Sequence, residues 1–211
     1  DIDQYIDYSM LIQAEGLQFA VEHYRRRFPE TAGALIWQFN DCCPCQSWSM
    51  IDYDLIPKAS YYYARRFFQP LVVSLEAVSP TTTGIWVINN TREDFEGVVR
   101  VYVKDFFGNI YFQEDVAVVV AAGSAIKVKD LTVGGRFYPN VIIPCRHRNV
   151  YVAATLPGQE IANIRFFGEY KDIPLPDARL SVSSSSSGKE LKVTIIAERF
   201  ARFVKLDGEM E

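Results

Sequence analysis

The most informative stretch of the chain is Gly33-Ala-Leu-Ile-Trp-Gln-Phe-Asn-Asp-Cys-Cys-Pro-Cys-Gln-Ser-Trp-Ser-Met-Ile-Asp-Tyr53. It begins with an apolar run that is typical of a buried strand. It continues into a cluster of aromatic, amide and carboxylate side chains. The stretch lies near the start of the chain, too early to be the finish of a complete domain. We therefore expect these residues to belong to a piece of a larger protein.

Composition limits the classes of function that the chain can serve. Its 211 residues are 49 % apolar and 23 % charged, which is ordinary for one large or two small folded domains. The 14 Phe, 12 Tyr and 3 Trp favour an aromatic core, and aromatic rings also suit sugar binding because they stack on pyranose C–H groups. The net charge is −4 and no basic stripe is present, so nucleic acid is not an expected partner. No apolar run reaches the ~18 residues that span a bilayer.

The cysteine pattern predicts free thiols. Cys42, Cys43 and Cys45 lie within four residues, a spacing unlike a disulfide framework. A zinc site would need a fourth ligand, and the chain has only His23 and His147. We predict reduced, buried thiols and no metal site. Reduced thiols favour a cytosolic protein and leave a secreted or lysosomal one as the alternative.

The first part of the chain has the pattern helix, strand, helix. Apolar residues recur at steps of three and four through residues 1–28, and Pro29 ends this pattern, which predicts one amphipathic helix. Gly33–Phe39 is apolar nearly without alternation, as in a strand buried on both faces of a parallel sheet. Pro57 occupies a favoured first position of a second helix, which stops before Pro70.

From Leu71 onward the pattern becomes strand-like. Several segments alternate apolar and polar residues, as half-buried antiparallel strands do. Seven strands are predicted, at Leu71–Val78, Gly84–Asn89, Gly97–Lys104, Ile110–Val116, Ala125–Lys129, Val150–Ala154 and Asn163–Phe167. They predict an immunoglobulin-like sandwich over residues 70–172, with a hairpin turn at Phe107-Gly-Asn109. Cys145 is the one cysteine of this region, so we expect no disulfide between its sheets.

The last part of the chain predicts a linker and an incomplete β domain. Two prolines within residues 171–177 are typical of a stiff, extended linker. Three strand candidates follow, at Arg179–Ser183, Leu191–Ile196 and Phe200–Leu206. The run Ser183–Ser187 is interpreted as a flexible hairpin loop. Because these strands are too few to close a sandwich, residues 173–211 are expected to be a linker and a partial β domain.

The candidate site lies where the predicted buried strand ends. In parallel β/α barrels, functional side chains cluster at the carboxyl ends of strands. Here these are Trp37, Gln38, Asn40 and Asp41, with Trp48 in the loop that follows. An indole face beside amide and carboxylate groups is a suitable wall for a sugar ring. The alternative is a packed tryptophan beside a capping aspartate, and the residues alone leave both interpretations open.

Three further patterns favour structural roles. The run Tyr61-Tyr-Tyr63 is more typical of helix packing than of ligand contact. Asn89-Asn-Thr91 matches the N-glycosylation sequon, a triplet that often arises by chance. Glu15 and Glu22 lie seven residues apart on the first helix, where we expect a solvated face rather than a catalytic pair.

The segments Trp37–Tyr53 and Pro57–Tyr63 resemble the last barrel strand of β-mannosidases, which belong to the retaining glycosidases of glycoside hydrolase family 2. Gln13–Gln18 and Glu22–Arg27 are similar to the helix that precedes that strand. The resemblance implies a mixed fold, in which residues 1–69 are a helix–strand–helix remnant of a (β/α)8 barrel. An immunoglobulin-like antiparallel β-sandwich and the start of another β domain follow it.

The resemblance also implies roles for the site residues. Trp37 is expected to lie nearest the sugar, with Asn40 and Asp41 at the rim of the pocket and Trp48 beside it. The family usually has Asp-Cys-Trp-Pro where this chain has Asp41-Cys-Cys-Pro44. The loss of that tryptophan changes either the aromatic lining of the pocket or the substrate preference.

The family's reaction uses one glutamate as acid/base and another as nucleophile. Neither motif matches any residue of this chain, so we assign no catalytic residue and expect the isolated chain to be inactive. The expected partners are the rest of the enzyme and a carbohydrate, and association between copies stays open. No cofactor is implied, because two carboxyl groups suffice. The alternatives are an exo-β-glucosaminidase or other family 2 glycosidase, and a non-catalytic carbohydrate-binding or structural sandwich module.

Several apolar side chains are expected to lack neighbours in this chain alone: Ile6, Leu17, Leu35, Ile36 and Phe39. Bare apolar area costs ~25 cal/mol per Å², so five such side chains cost several kcal/mol. We therefore expect residues 1–69 to be rearranged, associated with another copy or poorly ordered when the chain is made alone.

Overall fold

The computed structural model describes residues 1–134, 147–159, 162–188 and 190–206. In these ranges the chain forms two helices, nine strands and two short 3-10 turns: α1 (Ile2–Arg26), α2 (Ala59–Phe67), β1 (Leu71–Ala77), β2 (Thr82–Asn89), β3 (Phe95–Asp105), β4 (Ile110–Val120), β5 (Ser124–Thr132), β6 (Val150–Thr155), β7 (Asn163–Phe166), β8 (Leu180–Ser187), β9 (Glu190–Ala197), His147–Asn149 and Tyr170–Asp172. Cys145, and the prediction made for it, lie outside the described residues. Neither described helix combines the length and the hydropathy needed to cross a bilayer.

Helix α1 follows the predicted amphipathic pattern and ends at Arg26, two residues before the predicted end. The carboxylate of Asp1 accepts a hydrogen bond of 3.1 Å from the amide of Asp3 and so caps the first turn. Arg25 and Arg26 lie in the last turn, where cations interact favourably with the helix dipole. The prediction of this helix is confirmed.

The predicted strand at Gly33–Phe39 is wrong, because these residues join no sheet in the described part of the chain. The nearest pairing is an isolated parallel bridge between Asn40 and Ile51. Every second side chain of the segment is exposed: Leu35 (102 %), Trp37 (77 %) and Phe39 (56 %). A strand is stabilised by a ladder of hydrogen bonds, and among the described residues only the end of this segment, at Gln38 and Phe39, accepts backbone hydrogen bonds from the returning loop.

A small apolar cluster joins the two helices. Its members are Val21, Met50, Ala64 and Phe67, with Leu17, Ala34, Ile36, Tyr61 and Tyr63 packed against them. Of the side chains expected to lack neighbours, Leu17 and Ile36 pack in this cluster, whereas Ile6 is 46 % exposed. The helical part therefore buries one face and leaves other apolar side chains in solvent.

Helix α2 begins later than predicted. The proline pattern predicts a start at Pro57, but Pro57 forms an isolated antiparallel bridge with Ile51. The backbone of Lys58 is still extended at the helix N-cap, so the helix starts at Ala59. The bridge uses the extended geometry that proline also allows, and this delays the first helical turn.

The seven predicted strands all form and build an antiparallel sandwich, which confirms the immunoglobulin-like fold. One sheet has the order β1-β2-β5 and the other β4-β3-β6-β7. Along β3, Val99, Val101 and Val103 are fully buried between the sheets while Arg100 is exposed, as the period of two requires. Gly108, at φ +93°, makes the predicted turn between β3 and β4.

A second apolar cluster covers part of the outer face of the four-stranded sheet. Tyr151 and Ala153 of β6 lie here, next to Phe106, and Ile173 and Phe200 cover them. The rings of Tyr151 and Phe200 are 4.7 Å apart. The sequence predicts an extended linker over residues 171–177, but its start is a 3-10 turn and Ile173 is buried. The segments after the sandwich are thus packed against it.

Strands β8 and β9 form a hairpin that turns at Gly188, which has φ +63°. Ser183–Ser187 lie inside β8, so the prediction of a loop there is wrong. Their partners in β9 include Leu191 and Val193, and the pairing holds the serines in a strand. Phe200–Leu206, predicted as a strand, form none. The hairpin agrees with the predicted start of another β domain.

Arg202 links the segment after β9 to helix α1 through an ion pair and ring contacts. Its guanidinium lies 4.6 Å from the ring centroid of Phe166 and 4.8 Å from that of Phe203. It also forms an ion pair with Glu15, whose carboxylate accepts a hydrogen bond of 2.6 Å from the hydroxyl of Tyr170. Glu15 therefore faces other parts of the chain, and the prediction of a solvated face is wrong for it.

Glu22 forms the polar junction between helix α1 and the sandwich. Its side chain is buried, and its carboxylate accepts hydrogen bonds from Ser74 of β1 (2.6 Å), Gln18 (2.7 Å) and Asn163 of β7 (2.9 Å). Arg26, one helical turn later, donates to Ser74 at 2.5 Å and lies 4.0 Å from Glu22. The expected solvated face is wrong for Glu22 as well, because the sandwich packs on this side of the helix.

We expect Glu22→Gln to change how the free energy of unfolding depends on pH. Burial raises the pKa of Glu22, although hydrogen bonds from Ser74 and Gln18 and the Arg26 charge lower it. The folded protein then binds the proton more tightly than the unfolded chain. Glu22 therefore weakens stability progressively as pH rises above the ordinary glutamate pKa of about 4.3. Urea unfolding between about pH 4 and pH 7 should show the variant gaining stability relative to wild type.

Glu30→Gln is the matched control, because Glu30 is an exposed carboxylate just beyond the same helix. The free energy of unfolding of Glu30→Gln should equal that of wild type at every pH. A constant offset between Glu22→Gln and wild type across the range would contradict the assignment of Glu22 as a buried titrating group.

Candidate functional site

The candidate loop, residues 37–58, folds back on itself through backbone hydrogen bonds. The amide of Asp41 donates to the carbonyl of Ile51 at 3.1 Å, and the amide of Ile51 donates to the carbonyl of Phe39 at 3.0 Å. The peptide bond that precedes Gln38 is cis. The return of the loop brings side chains from its start, middle and end together around Asp41.

The carboxylate of Asp41 is the centre of the loop, and its side chain is almost fully buried. Five side chains surround its two oxygens: Ser47 Oγ (2.5 Å), Gln38 Nε2 (3.3 Å) and Cys45 Sγ (3.8 Å) on Oδ1, and Ser49 Oγ (2.7 Å) and Lys58 Nζ (3.4 Å) on Oδ2. Lys58 also donates to Ser49 Oγ at 2.8 Å. Both oxygens are therefore engaged by groups of the chain itself.

This environment keeps Asp41 ionised. Hydrogen bonds from Ser47 and Ser49, together with the charge of Lys58, lower the pKa of Asp41 to about 2, against an opposing effect of burial. A carboxylate held in this state attracts its donors at all ordinary pH values. Asp41 thus fixes the shape of the candidate loop.

The predicted sugar-facing residues are exposed around this centre. Trp37 and Trp48 are 77 % and 62 % exposed, and the amide of Asn40 donates to the carbonyl of Asp41 at 3.1 Å. The carbonyl of Trp48 accepts a hydrogen bond of 2.5 Å from Gln13, which ties the loop to helix α1. Both indoles are thus open to solvent in the described part of the chain.

Sequence reasoning missed three of the donors to Asp41, namely Ser47, Ser49 and Lys58. The spacing of Ser47 and Ser49 predicts that these two side chains face the same group, because an extended backbone places residues two apart on the same side. No local pattern marks Lys58. It reaches Asp41 because the bridge between Ile51 and Pro57 returns the chain to the start of the loop.

The three cysteines of the loop are free, as predicted, but they are exposed rather than buried. The whole segment 42–46 lies at the surface of the described structure. Within the described residues no three His, Cys, Asp or Glu side chains come together in a way that could hold a metal ion.

Two other patterns of the sequence are explained by packing. Asn89 of the sequon is fully buried, and its amide donates to backbone carbonyls that include Val120 at 3.0 Å. Its side chain is therefore part of the sandwich. Tyr61 and Tyr63 pack against the cluster between the helices, whereas Tyr62 is 51 % exposed.

We expect Asp41→Asn to loosen the candidate loop. The substitution removes the charge and one acceptor oxygen, so a serine hydroxyl loses its acceptor, and the Lys58 ammonium, which still donates to Ser49, loses its opposite charge. Backbone amides of residues 42–49 should then exchange with deuterium about tenfold faster near neutral pH. Because the folded pKa of Asp41 is about 2, its stabilising effect is complete above about pH 4 and is lost as pH falls towards 2.

Asp54→Asn is the control for this change, because Asp54 is an exposed carboxylate of the same loop. It should leave both the exchange rates and the urea midpoint unchanged. Identical exchange of residues 42–49 in Asp41→Asn and wild type would show that Asp41 does not hold the loop.

The match to a known protein family lies in the sandwich. Residues 81–172 match the family described as Mannosidase Ig/CBM-like domain. The β-mannosidase B of Aspergillus niger is 32 % identical over 116 residues, which cover 48 % of this chain and 14 % of that protein. The β-mannosidase B of Aspergillus terreus is 31 % identical with the same coverage. The chain thus spans a small part of the length of the curated relatives that it matches.

Solved structures extend the match to the helical part. The β-D-mannosidase from Dictyoglomus thermophilum has a TM-score of 0.83 and 28 % identity, over 99 % of this chain and 25 % of that one. An exo-chitosanase from Amycolatopsis orientalis has a TM-score of 0.70 over 93 % of this chain and 26 % of that one, and its 16 % identity supports likeness of fold alone. The sandwich match, the curated relatives and the solved structure agree that this chain is similar to part of a β-mannosidase of glycoside hydrolase family 2.

Proposed function

We propose that this chain is part of a retaining, exo-acting β-mannosidase that removes terminal β-D-mannose, and that it supplies one wall of the substrate pocket. The observation that carries the proposal is the likeness to the Dictyoglomus thermophilum β-D-mannosidase over 99 % of this chain. That likeness includes the helices and the candidate loop as well as the sandwich. It is therefore more specific than a match to one common β domain.

The pocket wall is built from exposed side chains of the candidate loop. We assign the indole faces of Trp37 and Trp48 to stacking on the C–H groups of the sugar, and the amide of Asn40 to hydrogen bonding with its hydroxyls. Both oxygens of Asp41 are occupied by donors such as Ser47, so we assign Asp41 as a positioning residue at the pocket rim.

The chemistry needs two carboxyl groups about 5 Å apart. One protonates the oxygen of the leaving group, while the other attacks the anomeric carbon and forms a glycosyl-enzyme that water then hydrolyses. Asp41 is unsuited to either role. Its low pKa keeps it ionised, so it cannot act as the acid, and its full set of hydrogen-bond partners shields it from attack on a sugar. We assign both catalytic glutamates to the part of the enzyme that lies outside this chain. Two carboxyl groups suffice, so the reaction uses no cofactor.

We further assign residues 1–69 to the end of a (β/α)8 catalytic barrel, with the sandwich at 70–172 and a partial β domain at 173–211. The exposed apolar side chains of the helical part support this assignment, since neighbouring barrel elements would cover them: Ile6 (46 %), Ile12 (72 %), Leu35 (102 %) and Phe39 (56 %). Within the described residues, 33–39 also pair with no strand, whereas a barrel strand pairs with a neighbour on each side.

The isolated chain should hydrolyse no aryl β-mannoside above background, whereas the whole protein should hydrolyse it with retention of configuration, as followed by proton NMR. Turnover by the isolated chain would contradict the assignment of the glutamates. Faster turnover of an aryl β-glucosaminide by the whole protein would favour the exo-β-glucosaminidase alternative. Sugar binding without hydrolysis would favour a non-catalytic module.

In the whole protein, Trp37→Ala should lower kcat/KM for the aryl β-mannoside by about tenfold or more, because it removes the stacking face from the pocket. Phe107→Ala is the matched control, since Phe107 is a similarly exposed aromatic residue (60 %) at the turn between β3 and β4. That variant should keep the activity of wild type. An equal loss in both variants would show that Trp37 has no specific role.

A further inference from the structure

The thiols of Cys42, Cys43 and Cys45 form a nucleophilic cluster that the proposed reaction does not use. All three are free and exposed, and they lie on the candidate loop between Asp41 and Ser47. The distance between Cys45 Sγ and Asp41 Oδ1 is 3.8 Å, so the Cys45 thiol is one of the donors that surround the central carboxylate. A chemical change at this sulfur therefore acts directly on the centre of the loop.

Cys43 is the natural partner of Cys45. A single residue, Pro44, separates the two in the chain, and both thiols are free and exposed. Residues two apart have Cα atoms separated by at most about 7 Å, and disulfides span Cα separations of about 4.4–6.8 Å. A disulfide between Cys43 and Cys45 thus needs a local adjustment of the loop and no movement of a helix or sheet.

We propose that Cys43 and Cys45 form a redox-active dithiol that a peroxide converts reversibly into a disulfide, and that this disulfide rearranges the loop held by Asp41. The exposure of both thiols gives the oxidant access. The S–H donor to Asp41 is lost when the Cys45 sulfur enters the disulfide. The consequence for activity rests on the proposed function, whereas the disulfide and the change in the loop do not.

The chemistry balances with one peroxide per disulfide. The Cys43 sulfur attacks one peroxide oxygen, the O–O bond breaks, and a sulfenic acid and one water form after proton transfer. The Cys45 sulfur then attacks the Cys43 sulfur, the S–S bond forms and the S–O bond breaks. The leaving hydroxide takes the Cys45 proton as a second water. Two thiols lose two electrons, and a dithiol reductant restores them by exchange.

The experiment uses the whole protein, treated with hydrogen peroxide and then with dithiothreitol. Peptide mass spectrometry should show a loss of two hydrogens in the peptide that carries residues 42–45, reversed by the reductant. Deuterium exchange of residues 42–49 should rise by about tenfold in the oxidised form. The kcat/KM for the aryl β-mannoside should fall by about tenfold and recover on reduction.

Two variants separate this pair from general oxidation. Cys43→Ser should form no disulfide and should keep its own untreated exchange pattern after peroxide. Cys42→Ser, which removes the neighbouring thiol alone, should respond as wild type does. Each variant is compared with its own untreated sample, so a change in basal activity does not affect the comparison.

Several results would overturn the proposal. One is the absence of a disulfide between Cys43 and Cys45 in peroxide-treated wild type, and another is an equal response in Cys43→Ser. A disulfide that leaves the exchange of residues 42–49 unchanged would also overturn it. If the untreated whole protein hydrolyses no β-mannoside, the proposed function fails, while the mass and exchange results still decide on the dithiol.

Discussion

The arrangement of the chain depends on the burial of one carboxylate, that of Glu22, between helix α1 and the sandwich. A charge moved from water into a protein interior has to be compensated by hydrogen bonds or by an opposite charge. Ser74 and Asn163 supply donors from two strands, and Arg26 supplies the charge from the next turn of the helix. The helix cannot slide or rotate without leaving a buried charge unpaired, so its place on the sandwich is fixed.

A second carboxylate, Asp41, acts by the same physical rule at shorter range. At Glu22 desolvation is the largest effect and raises the pKa, whereas at Asp41 the hydrogen bonds from Ser47 and Ser49 dominate and lower it to about 2. Glu22 fixes the position of a helix, and Asp41 fixes the shape of a loop. Gln13 of α1 donates a hydrogen bond to the carbonyl of Trp48 and so links the candidate loop to the helix that carries Glu22. This bond fixes the backbone of Trp48 relative to helix α1.

Patterns in the sequence predicted elements well wherever the pattern itself reflects burial. Several of the sandwich strands alternate because one face of each lies in the core, as in β3, and all seven predicted strands formed. Ser183–Ser187 were misassigned because a serine run has no apolar period, and its pairing with β9 makes it a strand. The strand predicted at Gly33–Phe39 is absent for the opposite reason. Its composition suits a buried strand, but a strand forms only beside partners, and the described residues supply none.

The sequence by itself determined the two helices, the sandwich strands and the loop that carries Trp37, Asn40, Asp41 and Trp48. These features follow from local periodicity and from the types of residue that lie next to one another. Only the tertiary structure decided which polar groups meet. Ser74 and Glu22 are 52 residues apart in the chain, and Lys58 and Asp41 are 17 apart. Such contacts depend on how whole elements pack, and no local pattern of residues records that packing.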